Sequence, residues 1–236
     1  LACDHAVLLK RLIKGVAARH GLTATFMAKP FAEHAGSGLH IHASLYDRDN
    51  NNVFADRSGA AAPAHSPLMR HAIGGLAATM AEGMAMFAPN ANSYRRIVPG
   101  AFVPLTPNWG YNHRAVSLRI PVCDPADMRV EHRSAGADAN PYLAVAAVLA
   151  GMHHGMANAT DPGPAVVGNG YDRDNSGDDK PPSNWFAAVD RFHASTFARD
   201  YLGERFVDMF SIVKRTEQDR YFGEVTRLDY DWYLRN

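Results

Sequence analysis

The sequence predicts an α+β fold in which short strands carry the polar chemistry and helices supply much of the core. Three observations point there. Residues 39–45, 114–121 and 127–134 alternate apolar and polar side chains, the period that puts successive side chains on opposite faces of a strand. Residues 5–20 carry apolar positions at helical spacing, and the Ala-rich segments 67–87 and 142–157 follow Ser-Pro and Asn-Pro start signals. Clusters of Gly, Pro, Asn and Asp separate these stretches.

At 236 residues the chain can bury a sizeable core and suits one large domain or part of one. The first helix is expected over residues 5–20, with Gly21 at the C′ position that favours a left-handed residue. Thr23–Ala28 reads as a strand, followed by Lys29-Pro30, the Gly36-Ser37-Gly38 loop and a second strand bearing His40. Residues 47–58, rich in Asp and Asn, read as a hairpin or loop. Ser66 and Pro67 supply an N-cap and a first-turn proline for a helix reaching about Phe87. From Asn92 to Trp109 the chain is punctuated by Pro99, Gly100, Pro104 and Pro107 and reads as a shaped loop.

Strands are expected at Arg114–Pro121 and Asp127–Ser134. Asn140-Pro141 then starts a helix whose small apolar residues, on nearly every side, mark it as buried. Residues 158–183 read as a surface loop. Residues 184–236 read as two or three amphipathic helices, with Trp185, Phe192, Phe197, Phe206, Phe210, Tyr221, Trp232 and Tyr233 as core anchors.

Lys plus Arg equals Asp plus Glu, 24 of each, so no strong field points to nucleic acid or an anionic membrane. No apolar run reaches membrane-spanning length. Cys3 and Cys123 are the only cysteines, far apart, which argues against a disulfide scaffold and fits a reducing cytoplasm. The chain opens on Leu-Ala-Cys-Asp, without a signal-peptide layout, and enters a helix almost at once. It is therefore expected to begin inside a longer protein.

On the second strand His40, His42 and Ser44 share a face opposite Leu39, Ile41 and Leu45. This is a row of metal or phosphate ligands over an apolar backing; a plain polar outer face is the alternative. Gly36 and Gly38 let the backbone approach another group closely or take positive φ. Arg129, Glu131 and Arg133 also share a strand face, which could be a solvated ladder. With Arg96, Arg114 and Arg119 in the same span, guanidiniums around one glutamate suit an anionic, phosphate-bearing ligand and a divalent metal. A zinc hydrolase built on His40 and His42 fits poorly, because no third ligand lies nearby.

Three segments, in order, are specific enough to carry a resemblance: Lys29-Pro30 with Gly36-Ser37-Gly38-Leu39-His40-Ile41-His42-Ala43-Ser44-Leu45; Asn92 to Gly100; and Arg114 through Asn140-Pro141-Tyr142-Leu143. Together they resemble the catalytic domain of the glutamine synthetase family, collinear over residues 1–157, and the helical remainder is similar to the family's C-terminal region. The resemblance implies a glutamine synthetase/guanido kinase-like domain with an antiparallel sheet lining the active site. A β-grasp-like N-terminal domain, a Glu-x-Glu metal strand and further acidic ligands would precede Leu1.

It implies ATP and Mg²⁺ or Mn²⁺ as cofactors, with His40 and Glu131 as metal ligands. His42, Ser44, Arg119 and Arg129 would lie at the nucleotide, Arg114 at the phosphoryl group in transfer, and Gly36, Arg96 and Arg133 at the substrate glutamate. The implied reaction joins glutamate to an amine through a γ-glutamyl phosphate. The implied assembly is a homo-oligomer of stacked hexamer rings, a dodecamer at full length, with sites shared between neighbours. The chain alone is expected to be inactive.

Family members that use ammonia carry a glutamate two residues after the Val-Pro-Gly; here that position is Phe102. A phenyl ring cannot accept a proton, and its apolar surface would favour an amine with an alkyl body. With His132 and Ala135-Gly136, this is closest in texture to the γ-glutamylpolyamine (γ-glutamylputrescine) synthetase branch. The expected acceptor is a polyamine such as putrescine; ammonia is the alternative, and a non-catalytic structural or regulatory relative a second one. A nucleotide-contacting lysine of some members has no counterpart in residues 122–128. Tyr171 falls near a tyrosine that some bacterial members have adenylylated, though an ordinary loop tyrosine is the favoured reading.

Overall fold

Three-residue strands make the sheet, and their register decides which side chains meet. The computed structural model describes residues 1–56, 65–101, 103–104, 106–169 and 180–235; Phe102 and Tyr171 lie outside these. Strands β1 (Ile41–Ala43), β2 (Trp109–Tyr111), β3 (Leu118–Ile120) and β4 (Val130–His132) run in the order β1-β4-β3-β2. The β1–β4 and β3–β4 pairs are antiparallel, as the resemblance implies, whereas β2 adds a parallel edge to β3. Prolines around β2 masked it in the sequence.

The expected strands are shorter than their alternation suggested. Residues 114–117 form turns before β3, and Asp127 ends a single 3₁₀ turn over Pro125–Asp127. No strand forms at Thr23–Ala28, because its end is held by loop contacts instead. Ser37 N–H donates to the Ala28 carbonyl (2.8 Å), and the Asn92 amide takes both backbone groups of Lys29 (2.9 Å each).

Helix α1 (Ala2–Arg19) ends at His20, with Gly21 at φ +70° as expected. Its apolar spacing does not become a core face: none of its residues is buried. The expected helix from Pro67 is two, α2 (Pro67–Ala78) and α3 (Met80–Phe87), divided at Thr79. Ser66 caps α2 through its hydroxyl, which accepts from Met69 N–H (3.2 Å). The short α4 (Ala91–Tyr94) is capped by Asn90. Helix α5 (Pro141–Ala157) starts under Asn140 as predicted and crosses α2 where Gly75, Gly151 and Gly155 meet; a Cβ on Gly75 would strike the Gly151 carbonyl and the Gly155 backbone.

Four helices close the described chain, one more than the upper expectation: α6 (Trp185–Ala194), α7 (Thr196–Leu202), α8 (Glu204–Phe222) and α9 (Arg227–Tyr233). The aromatic anchors divide. Trp185 and Phe192 are buried, Phe206 and Phe210 pack against the core edge, and Phe197 edges onto His154. Tyr221, near the end of α8, remains exposed, and so do Trp232 and Tyr233, because α9 buries none of its residues. The core lies between the sheet and the helices, with Met69, Ile73, Met80 and Phe87 on one side and Leu118, Ile120 and Val130 on the other. Among the described residues no helix is long and apolar enough to cross a membrane.

Candidate active site

Register brings the site together. In the antiparallel ladder His42 lies opposite Glu131, and Glu131 lies opposite Arg119, so three strands contribute one residue each to a row on one face. The other face of the same strands carries Ile41, His132 and Leu118, in register with one another. His40 sits one residue before β1, on the polar side, and its Nδ1 is 2.9 Å from Glu131 Oε1.

Glu131 is the centre. Its side chain is only 2% exposed, yet Arg133 donates to Oε1 and Arg119 to Oε2, both at 2.7 Å. Burial pushes its carboxyl upward. The Arg119 hydrogen bond and the charges of Arg133, Arg119 and His40 outweigh that and hold it below the ordinary carboxylate range. His40 is lowered as well, by burial and by Arg133, Arg96 and His42, against the pull of Glu131. His42 is lowered too, chiefly by burial and by Arg129, Arg119 and Arg133. The result is an ionised carboxylate beside two imidazoles biased to the neutral form that ligates metal.

The other expected residues distribute around this row. Arg129 Nε donates to His42 Nδ1 (3.3 Å), and His42 Nε2 is 4.0 Å from Glu131 Oε1. Arg133 also donates to the Arg114 carbonyl (3.0 Å), tying two arginine-bearing segments. The Arg114 guanidinium is exposed, and among the described residues it makes no hydrogen bond or ion pair. Ser44 lies past the end of β1, exposed and without a described partner in the row. Arg96 is 5% exposed and donates to the Ser134 carbonyl (2.6 Å). Burial lowers its basicity, while the charge of Asp138 supports the protonated form.

Gly36 and Gly38 lie over Arg96. A Cβ on Gly36 would fall 2.6 Å from Arg96 Cγ, and one on Gly38 would fall 3.3 Å from its Nη1 and 3.7 Å from His40 Nε2. Neither takes positive φ, so close approach is the reason for glycine here.

One buried group was missed as a structural feature. His132 is 1% exposed, packs its ring 4.4 Å from that of Phe87 at a 41° tilt, and has no hydrogen-bond partner for either ring nitrogen among the described residues. Its place between Val130 and Ser134 on the apolar parity of β4 was the available signal. Burial, then the charge of His40, pushes it down to about 3. The unfolded chain then binds a proton that the folded chain refuses between pH about 6.5 and 3, so stability falls with falling pH at about 1.4 kcal/mol per unit. His132→Phe is expected to flatten that acid limb in urea unfolding followed from pH 7 to 4; parallel profiles for the two proteins refute it.

The matching family model is that of the glutamine synthetase catalytic domain, over residues 1–233. The chain belongs to the glutamine synthetase family. It is 43% identical over 235 residues to the Escherichia coli γ-glutamylputrescine synthetase PuuA, covering 100% of this chain and 48% of that protein. Against the γ-glutamylethanolamide synthetase GlnA4 of Streptomyces coelicolor it is 34% identical, again over 100% of this chain and 48% of the relative. The solved GmaS/ADP complex superposes with a TM-score of 0.86 at 32% identity, covering 99% of this chain and 54% of GmaS. The chain thus spans about half the length of the curated relatives it matches.

The donor set fits part of a divalent-metal site. An imidazole and an ionised carboxylate are borderline and hard donors, and their 2.9 Å separation matches the cis edge, about 3 Å, of an octahedral shell with bonds near 2.1 Å. Among the described residues no group of three or more His, Cys, Asp or Glu forms a complete shell.

Proposed function

We propose that the protein containing this chain is an ATP-dependent glutamate–amine ligase that works through a γ-glutamyl phosphate and takes a polyamine such as putrescine as acceptor. The observation that carries the reading is the His40–Glu131 pair at 2.9 Å, with the guanidiniums of Arg119 and Arg133 closed on the same carboxylate. An ion held by His40 and Glu131 would neutralise charge on phosphoryl oxygens. Support for the nucleotide comes from the likeness to the ADP complex of GmaS, and for an amine acceptor from the likeness to PuuA and GlnA4.

The chain's own residues then divide the work. Arg119 and Arg129, flanking His42, offer planar donor forks to the phosphates, together with His42 and Ser44. Arg96, beneath Gly36 and Gly38, and Arg133, beside Glu131, face the glutamate carboxylates. Arg114, whose guanidinium is not engaged elsewhere among the described residues, meets the charge that spreads over the transferring phosphoryl oxygens. The γ-carboxylate attacks the γ-phosphorus, ADP leaves, and the amine nitrogen displaces phosphate to leave an amide. Catalysis of this kind is mostly orientation and fixed charge. A cytoplasmic homo-oligomer of stacked rings, with sites shared between neighbouring subunits, completes the reading.

Acceptor profiling of the full-length protein tests it. Glutamate- and ATP-dependent phosphate release is expected with putrescine at a kcat/KM well above that with ammonium. Ammonium as the better acceptor converts the reading to glutamine synthesis, and no turnover with any amine rejects the ligase.

A further inference from the structure

We propose that Asp138 is a positioning residue that fixes Arg96 in the site, by locking the Asn90–Arg96 segment to the connection between β4 and α5. This rests on the ligase reading, in which Arg96 faces the amino-acid substrate.

The connection grips that segment at both ends. Asp138 Oδ2 accepts from Ser93 Oγ (2.6 Å) and from Asn90 Nδ2 (2.9 Å). Those two residues are the N-cap and third position of α4, already joined by a capping box in which Ser93 Oγ also accepts from Asn90 N–H (3.3 Å). With its proton committed to Asp138, the Ser93 hydroxyl has a lone pair for the cap; the carboxylate therefore sets the direction of that hydroxyl. At the far end the Arg96 guanidinium donates to the Ser134 carbonyl of the same connection. Between the two anchors lies less than one turn of helix and the bend that delivers Arg96.

Two further contacts hold Asp138 itself. Lys10 on α1 donates to the carbonyls of Ala137 (2.5 Å) and Ala139 (3.4 Å), on either side of it. Gly136 makes room: a Cβ there would collide with Asp138 Oδ1, an oxygen that is buried without a hydrogen-bond partner among the described residues. The same glycine donates to the Phe87 carbonyl (3.0 Å) and bridges to Gly38, so the lock also reaches the glycine loop over Arg96. Gly136 and Asp138 are thus a matched pair, the glycine admitting the carboxylate. The negative charge of Asp138 also offsets the burial and the Arg133 repulsion felt by Arg96.

Steady-state kinetics of Asp138→Ala, Asp138→Asn, Gly136→Ala and the Gly136→Ala/Asp138→Ala double variant of the full-length protein test the proposal. Asp138→Ala is expected to raise KM for glutamate roughly tenfold or more while KM for ATP stays within about twofold. Asp138→Asn, which keeps an acceptor for Ser93, recovers part of the loss. Gly136→Ala alone gives a similar defect. The double variant is no worse than Asp138→Ala, because the remaining contact, Ala28 Cβ at 3.4 Å, is ordinary packing. An unchanged KM for glutamate, a rise in both KM values together, or additive losses in the double variant overturns it. If the wild-type protein shows no ligase turnover, the ligase reading fails by itself. The lock is then read in a crystal structure of Asp138→Ala, where Arg96 still seated on the Ser134 carbonyl overturns it.

Discussion

Glu131→Ala is expected to destabilise the protein by about 3–5 kcal/mol, the cost of leaving buried guanidiniums without their counter-charge. Arg133 and Arg119 have side chains only 7% and 19% exposed, and both spend a 2.7 Å bond on this carboxylate. In a fold of this size the change corresponds to a melting shift of roughly 10 °C. Glu131→Gln keeps the shape but not the charge and is expected to lose much of the same stability together with Mn²⁺ affinity. The wild-type protein should lose this contribution in acid for the same reason. Because the folded carboxyl titrates below its unfolded value, its stabilisation is present above the ordinary carboxylate range and disappears as pH falls through the depressed one. Thermal and urea unfolding of the variants decide this; a Glu131→Ala protein as stable as wild type rules out the charge cluster as described.

Arg114→Ala carries the largest expected effect on rate. Its guanidinium is exposed and has no described partner, so the fold does not depend on it, while its carbonyl remains available to Arg133. Losing one donor to a developing anion typically costs about 10²–10³ in kcat. Acyl phosphate formation, trapped with hydroxylamine in single turnover, is expected to fall by that factor in the full-length protein. ATP binding and unfolding midpoint are expected to stay near wild type. Near-normal turnover removes Arg114 from the phosphoryl-transfer step.

Much of the site was legible because strand parity is a short-range rule. His42, Glu131 and Arg119 could be assigned to polar faces from alternation alone, and the cross-strand register then made them neighbours. Helices announced by Ser66-Pro67 and Asn140-Pro141 formed where those caps stand. What alternation cannot give is length and partner. Thr23–Ala28 had strand-like residues but no ladder to join, and β2 found one beside β3 in spite of its prolines.

Burial was the other gap. The aromatics of α9 read as core, yet neither that helix nor α1, whose apolar positions fall at helical spacing, buries a residue among those described. His132 read as texture but is almost completely enclosed. Asp138 was invisible as a lock, since its partners Asn90 and Ser93 lie 48 and 45 residues away and only the folded connection brings them together.

The central claim is that His40 and Glu131 share one metal ion, and diffraction at the manganese edge tests it directly. Crystals of the full-length protein grown with Mn²⁺ and ADP are expected to show an anomalous peak bonded to both side chains, at the place where His40 Nδ1 and Glu131 Oε1 now approach to 2.9 Å. Manganese bound elsewhere, with the 2.9 Å His40–Glu131 contact left intact, contradicts the claim.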